Sequence, residues 1–170
     1  MGDVSLPLRD KVRPMPTFDV IVVGTDGSET AGAALSKAIE IASEGGATLH
    51  VVHAHRLVSS GQLGGAAAVG APTFDLNDVN QGIENQSKVI CARAAEQATA
   101  AGVKNVETHA CPGDPADALV DVAAQVDADL IVVGNRGMAG VKRFVLGSVP
   151  NKVSHHSPCS LLIVDTRLTE

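Results

Sequence analysis

The sequence predicts one α/β domain, an open five-stranded parallel sheet with helices on both faces. Five short apolar runs recur along the chain, each separated from the next by a segment of helical character. The runs are continuous rather than alternating, as FDVIVVG at residues 18–24 illustrates, which is typical of strands buried on both faces. The length of 170 residues suits a single core. We therefore expect one domain over residues 17–168, preceded by a flexible tail at residues 1–16.

In the first βαβ unit, glycine and capping residues mark where the strand and the helix end or begin. The strand at 18–24 ends in glycine, and Ser28 is a favourable N-cap for an alanine-rich helix. That helix is expected to reach about Ser43, because Gly45 and Gly46 follow. The second strand is predicted at 47–54, ATLHVVHA.

The segment after the second strand interrupts the alternation of strands and helices. Residues 55–80 include GQLGGAAAVGAP, which is rich in glycine and alanine and lacks periodicity. This composition predicts a mobile insertion, in the manner of a lid. A helix is then expected over about 82–101, ending at Gly102.

The second half of the chain returns to regular alternation. A third strand at 106–111 precedes a helix that Asp114 caps, with Pro115 in the first helical position, and that runs to about residue 126. The clearest strand is DLIVVG at 129–134.

The chain closes with a helix at about 148–156, which Pro158 ends, and a fifth strand, SLLIVD, at 160–165. Ligands of parallel sheets bind beyond the carboxyl ends of the strands, where the strand order reverses. Two strands share the ending IVVG, at Gly24 and at Gly134. We take this pair as the candidate switch point.

Composition excludes several classes of function. The formal net charge is −6, which disfavours a general nucleic-acid or anionic-membrane surface. Only 2% of residues are aromatic, so base-stacking platforms are missing. Three separated cysteines suggest free thiols in a reducing compartment. With no secretory signal and no run of roughly 20 apolar residues, the sequence predicts a cytoplasmic protein without a membrane partner.

The segment GNRGMAGVKRFVLGS at 134–148 has the character of an anion site. Its glycines allow the backbone to approach a ligand, and successive N–H groups can form an anion-binding concavity. It leads into a helix whose first N–H groups are free to bind phosphate, and Ser148 can cap that helix or donate to a phosphate oxygen. Arg136, Lys142 and Arg143 add local positive charge. The alternative is a long loop with turning glycines and solvent-exposed cations.

The same segment resembles a known family. Gly134, two residues, Gly137, nine residues, Gly147 and Ser148 form the pattern of nucleotide-binding universal stress proteins. The opening VIVVGTDGSETAGAAL, the stretch GDPADALVDVA and the ending SPCSLLIVD are similar to other parts of that family, so the resemblance covers nearly the whole chain.

The resemblance implies a dimeric fold with strand order 3-2-1-4-5 and ATP between the first and fourth strands. It matches the glycine segment to phosphate and ribose contacts, residues 24–26 to an adenine and ribose pocket, and Val52 to an adenine contact. The full predicted nucleotide-binding set is Gly24, Thr25, Asp26, Val52, Val133, Gly134, Asn135, Arg136, Gly137, Arg143, Gly147, Ser148 and Val149. The dimer contact is expected in the last strand, at Leu161, Leu162, Ile163 and Val164.

Other chemistry is weakly supported. The chain has no GxxxxGK[ST] loop, no GxGxxG turn and no GxSxG elbow. Asp26 also suits a turn, although its place after a strand favours a ribose contact. His53 and His55, together with His50 or His109, have side chains of a metal-binding type, but we predict no metal site. Cys111 is expected to be a structural thiol rather than a redox group.

The predicted function is binding of ATP, or of AMP or cyclic AMP, by a regulatory stress-response protein, with Mg²⁺ a possible companion of the phosphates. No residue stands out as a general base or nucleophile, so no catalytic residue is assigned. Two alternatives remain open, a slow Mg²⁺-dependent ATPase and a dimeric interaction protein without nucleotide.

Overall fold

A computed structural model describes residues 18–59, 75–135 and 146–166. Within these ranges, five strands alternate with four helices. The strands are β1 (Val20–Gly24), β2 (Thr48–His55), β3 (Asn105–Pro112), β4 (Leu130–Gly134) and β5 (Ser160–Val164). The helices are α1 (Glu29–Gly45), α2 (Leu76–Ala100), α3 (Pro115–Gln125) and α4 (Ser148–His156).

All strand pairs are parallel, and the sheet order is β3-β2-β1-β4-β5. The predicted fold class and strand order are therefore confirmed. The order reverses between β1 and β4, whose registered pairs include Val22 with Ile131 and Val23 with Val132. The two strands that end in IVVG are thus neighbours, as the pattern predicted.

The sheet separates two apolar cores. On one face α1 and α2 cover Ile21, Val23, Leu49 and Val51, all completely buried. On the other face α3 and α4 cover alternate residues of the same strands, which include Val22, Val52, Ile131 and Val133. Each fully buried Val, Leu or Ile side chain stabilises the fold by about 1.5–3 kcal/mol, and the buried residues of both cores are mainly Val, Ile, Leu and Ala.

Side chains cap three of the four helices. Ser28 accepts a hydrogen bond from the N–H of Ala31, Asp75 from Asn77, and Asp114 from Ala116 and Asp117. Such caps satisfy N–H groups that have no partner inside the helix. The predicted caps of α1 and α3 are therefore confirmed.

The second helix differs from the prediction. It begins at Leu76 rather than near Gly82, because Asp75 caps it and the chain continues in helical geometry through the glycine. The predicted insertion at 55–80 accordingly contains the end of β2 and the first turn of α2. Residues 60–74 of that insertion, and the predicted tail at 1–16, lie outside the described residues. Within the described ranges, no helix has the length and apolarity needed to cross a membrane.

Candidate functional site

A cleft opens at the carboxyl ends of β1 and β4, where the strand order reverses. The space within it is about 740 Å³, including the part open to solvent. The lining residues come from three strands and three helices or their leading turns. They are Gly24, Thr25, Asp26, Ala31, Val52, Ala54, Pro115, Leu119, Val133, Gly134, Gly147, Ser148, Val149 and Pro150.

Most of the predicted binding set therefore surrounds one cavity. Gly24, Thr25 and Asp26 lie on the β1 side, Val52 on β2, Val133 and Gly134 on β4, and residues 147–149 at the start of α4. At Gly24, an added Cβ would lie 3.1 Å from Cδ1 of Leu119. The close packing of α3 against the end of β1 leaves little room for a side chain there, and Leu119 would have to shift by a few tenths of an ångström to admit one.

The turn after β1 is held by its own side chains. Oδ1 of Asp26 accepts hydrogen bonds from the backbone N–H of Ser28, at 2.9 Å, and from the Ser28 hydroxyl. Gly27 has a φ of +75°, which lets the chain turn sharply into α1. Asp26 thus has the turn role that the sequence offered as an alternative, and it also stands at the cleft rim.

The start of α4 is the part of the cleft best suited to an anion. Its N-cap is Gly147, with φ −60° and ψ 164°, and no side chain of the described residues caps it. Ser148 is the first helical residue and is exposed, so the alternative that Ser148 caps the helix is wrong. The first N–H groups of α4 lie beside the cavity, where a helix terminus favours negative charge.

Asn135 is the described member of the predicted set that does not line the cleft. Its Oδ1 accepts from the N–H and the hydroxyl of Thr166, at 3.1 and 2.9 Å, and its Nδ2 donates to Asp165. Its carbonyl accepts from the N–H of Gly147 at 2.9 Å. Asn135 therefore joins the ends of β4 and β5 to the start of α4, which positions that helix terminus beside the cleft.

Three other predicted residues, Arg136, Gly137 and Arg143, lie outside the described residues, as does Lys142. Sequence reasoning also missed lining residues, namely Ala31, Ala54, Pro115, Leu119 and Pro150. Ala54 could have been found from Val52, since alternate strand residues share a face. Pro115 and Leu119 had no such signal, because only the packing of α3 brings them to the end of β1.

Ion pairs connect α4 to the start of α3, the two helices that flank the cleft. Lys152 of α4 contacts Asp114 and Asp117 at the start of α3, at 3.3 and 2.7 Å. Desolvation opposes ionisation of Asp114, but hydrogen bonds from Lys152 and from backbone N–H groups outweigh it and lower the pKa of this carboxyl group. These ion pairs are exposed to solvent, so they stabilise the fold only weakly.

The histidines divide between the two faces of the sheet. His53 and His55 share one face, as predicted, and Nδ1 of each contacts the hydroxyl of Ser87, at 2.7 and 3.1 Å. His50 lies on the opposite face, with Nδ1 3.0 Å from Nε2 of His109. The metal grouping that combined His53 and His55 with His50 or His109 is therefore wrong, because the strand periodicity separates them.

The three cysteines are free thiols. Cys91 is buried and Cys111 partly buried, and burial raises the pKa of each thiol. A raised pKa lowers the thiolate fraction, which agrees with a structural rather than a redox role for Cys111.

Comparisons with known proteins agree closely with one another. The model of the universal stress protein family matches residues 17–165. Universal stress protein YxiE of Bacillus subtilis is 35% identical over 149 residues, which cover 86% of this chain and 99% of that protein.

Two similar solved structures are complexes with nucleotides. A universal stress protein in complex with cAMP is 33% identical, with a TM-score of 0.64, over 88% of this chain and 98% of that one. The universal stress protein from Archaeoglobus fulgidus in complex with dAMP is 27% identical, with a TM-score of 0.58, over 86% of this chain and 98% of that one.

Proposed function

The chain belongs to the universal stress protein family, and we propose that it binds an adenine nucleotide in the cleft between β1 and β4. One observation carries the proposal. Residues predicted from sequence on β1, β2, β4 and α4 surround a single cavity at the point where the strand order reverses. The similar proteins described with cAMP and dAMP support the choice of adenine.

The cleft offers a separate environment for each part of a nucleotide. Val52, Ala54 and Leu119 form an apolar wall suited to a base. The Asp26 carboxylate at the rim can accept from ribose hydroxyl groups. The uncapped start of α4 can donate backbone N–H groups to phosphate oxygens.

ATP is the ligand we propose, in a regulatory role rather than a strongly catalytic one. Support comes from the chemistry of the lining. Among the described lining residues, Asp26 is the one ionisable side chain, and we assign it to the ribose hydroxyl groups rather than to catalysis. Arg136 and Arg143, in the glycine-rich segment, remain predicted nucleotide-binding residues, with Mg²⁺ as a possible companion of the phosphates.

The sharpest test removes one N–H donor while keeping the helix. Proline is favoured at the first helical position, and Gly147 already has the extended ψ of 164° that a following proline requires. Ser148→Pro therefore deletes the amide hydrogen of a cleft-lining residue without breaking α4. A hydrogen bond to a charged group contributes about 1.5–3 kcal/mol, so we expect ATP affinity measured by calorimetry to fall about 10- to 100-fold.

Ser148→Ala is the matched control, since it removes only the hydroxyl and keeps the amide. It should lose less affinity than Ser148→Pro, at an unchanged melting temperature. Absence of bound nucleotide after purification, together with no affinity for ATP, AMP or cyclic AMP up to millimolar concentration, would overturn the proposal. Phosphate release with Mg²⁺ that Ser148→Pro abolishes would make the protein a slow ATPase instead.

A homodimer through β5 is the assembly we propose. β5 is an edge strand of the sheet, and Leu161, Leu162, Ile163 and Val164 are only partly buried within one chain. The cytoplasm is the compartment we propose, on the support of three free thiols.

A further inference from the structure

Three side chains with metal-binding atoms converge on the face of the sheet that carries α3. His50 of β2 is paired in register with Glu107 of β3, and His109 lies two residues further along β3. Alternate residues of a strand share a face, so all three side chains project to the same side. His50 is buried, with 5% of its surface exposed, while the Glu107 side chain is 64% exposed at the edge of the sheet.

The spacing of the donor atoms suits one small ion. Nδ1 of His50 lies 3.0 Å from Nε2 of His109 and 3.7 Å from Oε2 of Glu107, and the three donor atoms all lie within 4.8 Å of one another. Metal–ligand bonds of about 2.0–2.1 Å in tetrahedral geometry place neighbouring ligand atoms about 3.3 Å apart. The two measured separations lie on either side of that value.

We propose that His50, Glu107 and His109 form a binding site for a divalent transition metal ion of the zinc type. Two imidazoles and one carboxylate are a ligand set that zinc accepts, with a fourth position left for water or another ligand. Borderline nitrogen donors favour such an ion over Mg²⁺ or Ca²⁺, which prefer oxygen ligands.

The competing explanation is a simple hydrogen-bonded histidine pair. The 3.0 Å contact between the two rings suits one N–H donating to one lone pair. That explanation does not require Glu107, whose carboxylate is nevertheless directed at the same His50 nitrogen. The role of the carboxylate therefore separates the two explanations.

The site is distinct from the proposed nucleotide cleft, because none of the three residues lines it. His109 is however the register partner of Val52, a cleft-wall residue, so the two sites share a pair of strands. Metal binding is tested on nucleotide-free protein, so its outcome does not depend on whether ATP binds.

The experiment titrates Zn²⁺ into the full-length, tag-free, chelator-treated chain against a chromophoric chelator. We expect one site per chain, with affinity reduced at least tenfold in Glu107→Gln and in His109→Gln. His155→Gln is the matched control, because His155 is an exposed histidine at the end of α4, and it should bind as the unaltered chain does. Glu107 is exposed and His109 only partly buried, and circular dichroism checks that both variants fold.

Co²⁺ provides an independent measurement of the ligand type. Substitution with Co²⁺ should give the visible absorption of a four-coordinate nitrogen and oxygen site, without the near-ultraviolet charge-transfer band of a thiolate ligand. The proposal is overturned if Zn²⁺ does not bind at micromolar concentration, if Glu107→Gln binds as tightly as the unaltered chain, or if a thiolate band shows that cysteine holds the ion.

Discussion

Gly27 sets the geometry of the turn that leads from β1 into α1. Its φ of +75° lies in the left-handed region, and an added Cβ would lie 3.4 Å from Cγ2 of Ile90. An L side chain in that region costs about 1–2 kcal/mol. We therefore expect Gly27→Ala to lower the free energy of unfolding by about that amount in urea denaturation.

Gly32→Ala is a control substitution that should change the free energy of unfolding in the opposite direction. Gly32 lies inside α1, and nothing stands within 4 Å of an added Cβ. Alanine in a helix interior is favoured over glycine by about 0.5–1 kcal/mol. Gly32→Ala should therefore stabilise the protein. Equal effects of the two substitutions would contradict the assigned turn.

His53 should make stability depend on pH. Burial lowers its pKa, the neighbouring His55 adds to this, and Asp26 opposes it. The folded-state pKa therefore lies below the unfolded value of about 6.5, and between the two values the unfolded chain binds more protons. The free energy of unfolding should fall as the pH drops below about 6.5 and through the folded-state pKa.

Urea unfolding at several pH values measures this effect. His53→Gln removes the titrating ring, so the loss of stability on acidification should be smaller than in the unaltered chain. His155→Gln, at an exposed position, should keep the original slope. A slope that His53→Gln leaves unchanged would assign the pH dependence to other groups.

At the scale of elements, α2 shows where sequence patterns mislead. Gly82 was predicted to begin the helix, yet it lies within α2 and nothing stands within 4 Å of an added Cβ. We expect Gly82→Ala to stabilise the protein by about 0.5–1 kcal/mol, measured by thermal unfolding. If the helix began after this residue, the same substitution would have little effect, so a null result would contradict the observed start at Leu76.

The central strands β1 and β4 were predictable because a parallel strand buried on both faces is a continuous apolar run. The edge strand β3, NVETHACP, has a mixed sequence and is partly exposed, so this signal does not apply to it. The helix caps at Ser28 and Asp114 were also predictable, because capping depends on residues only two or three positions apart. Contacts between elements that are distant in the sequence were not predictable. The pairing of His50 with His109 depends on the register of β2 and β3, which no local pattern specifies.

On the scale of the whole molecule, the cleft follows from the strand order. Because β3 connects to β4 across β1, α1 and α2 cover one face of the sheet and α3 and α4 the other. The reversal leaves a gap at the carboxyl ends of β1 and β4, between Gly24 and Gly134. Two matching glycine-ended strands were enough to predict this gap, but not the walls that α3 supplies.

The same strand order leaves β5 at one edge of the sheet, where its outer hydrogen-bonding groups can pair with a second chain. Leu162→Lys charges a partly buried side chain of that edge strand that also packs against the core beneath α1, and it should convert the proposed dimer into monomers, as measured by light scattering. Thr108→Lys places the same charge on the exposed, opposite edge strand β3 and should leave the dimer intact. Circular dichroism checks that both variants keep the fold. If the unaltered chain is a monomer, β5 is not an interface. If Leu162→Lys and Thr108→Lys dissociate the dimer equally, β5 is not the specific interface, because a contact through β5 should be sensitive only to the lysine on that strand.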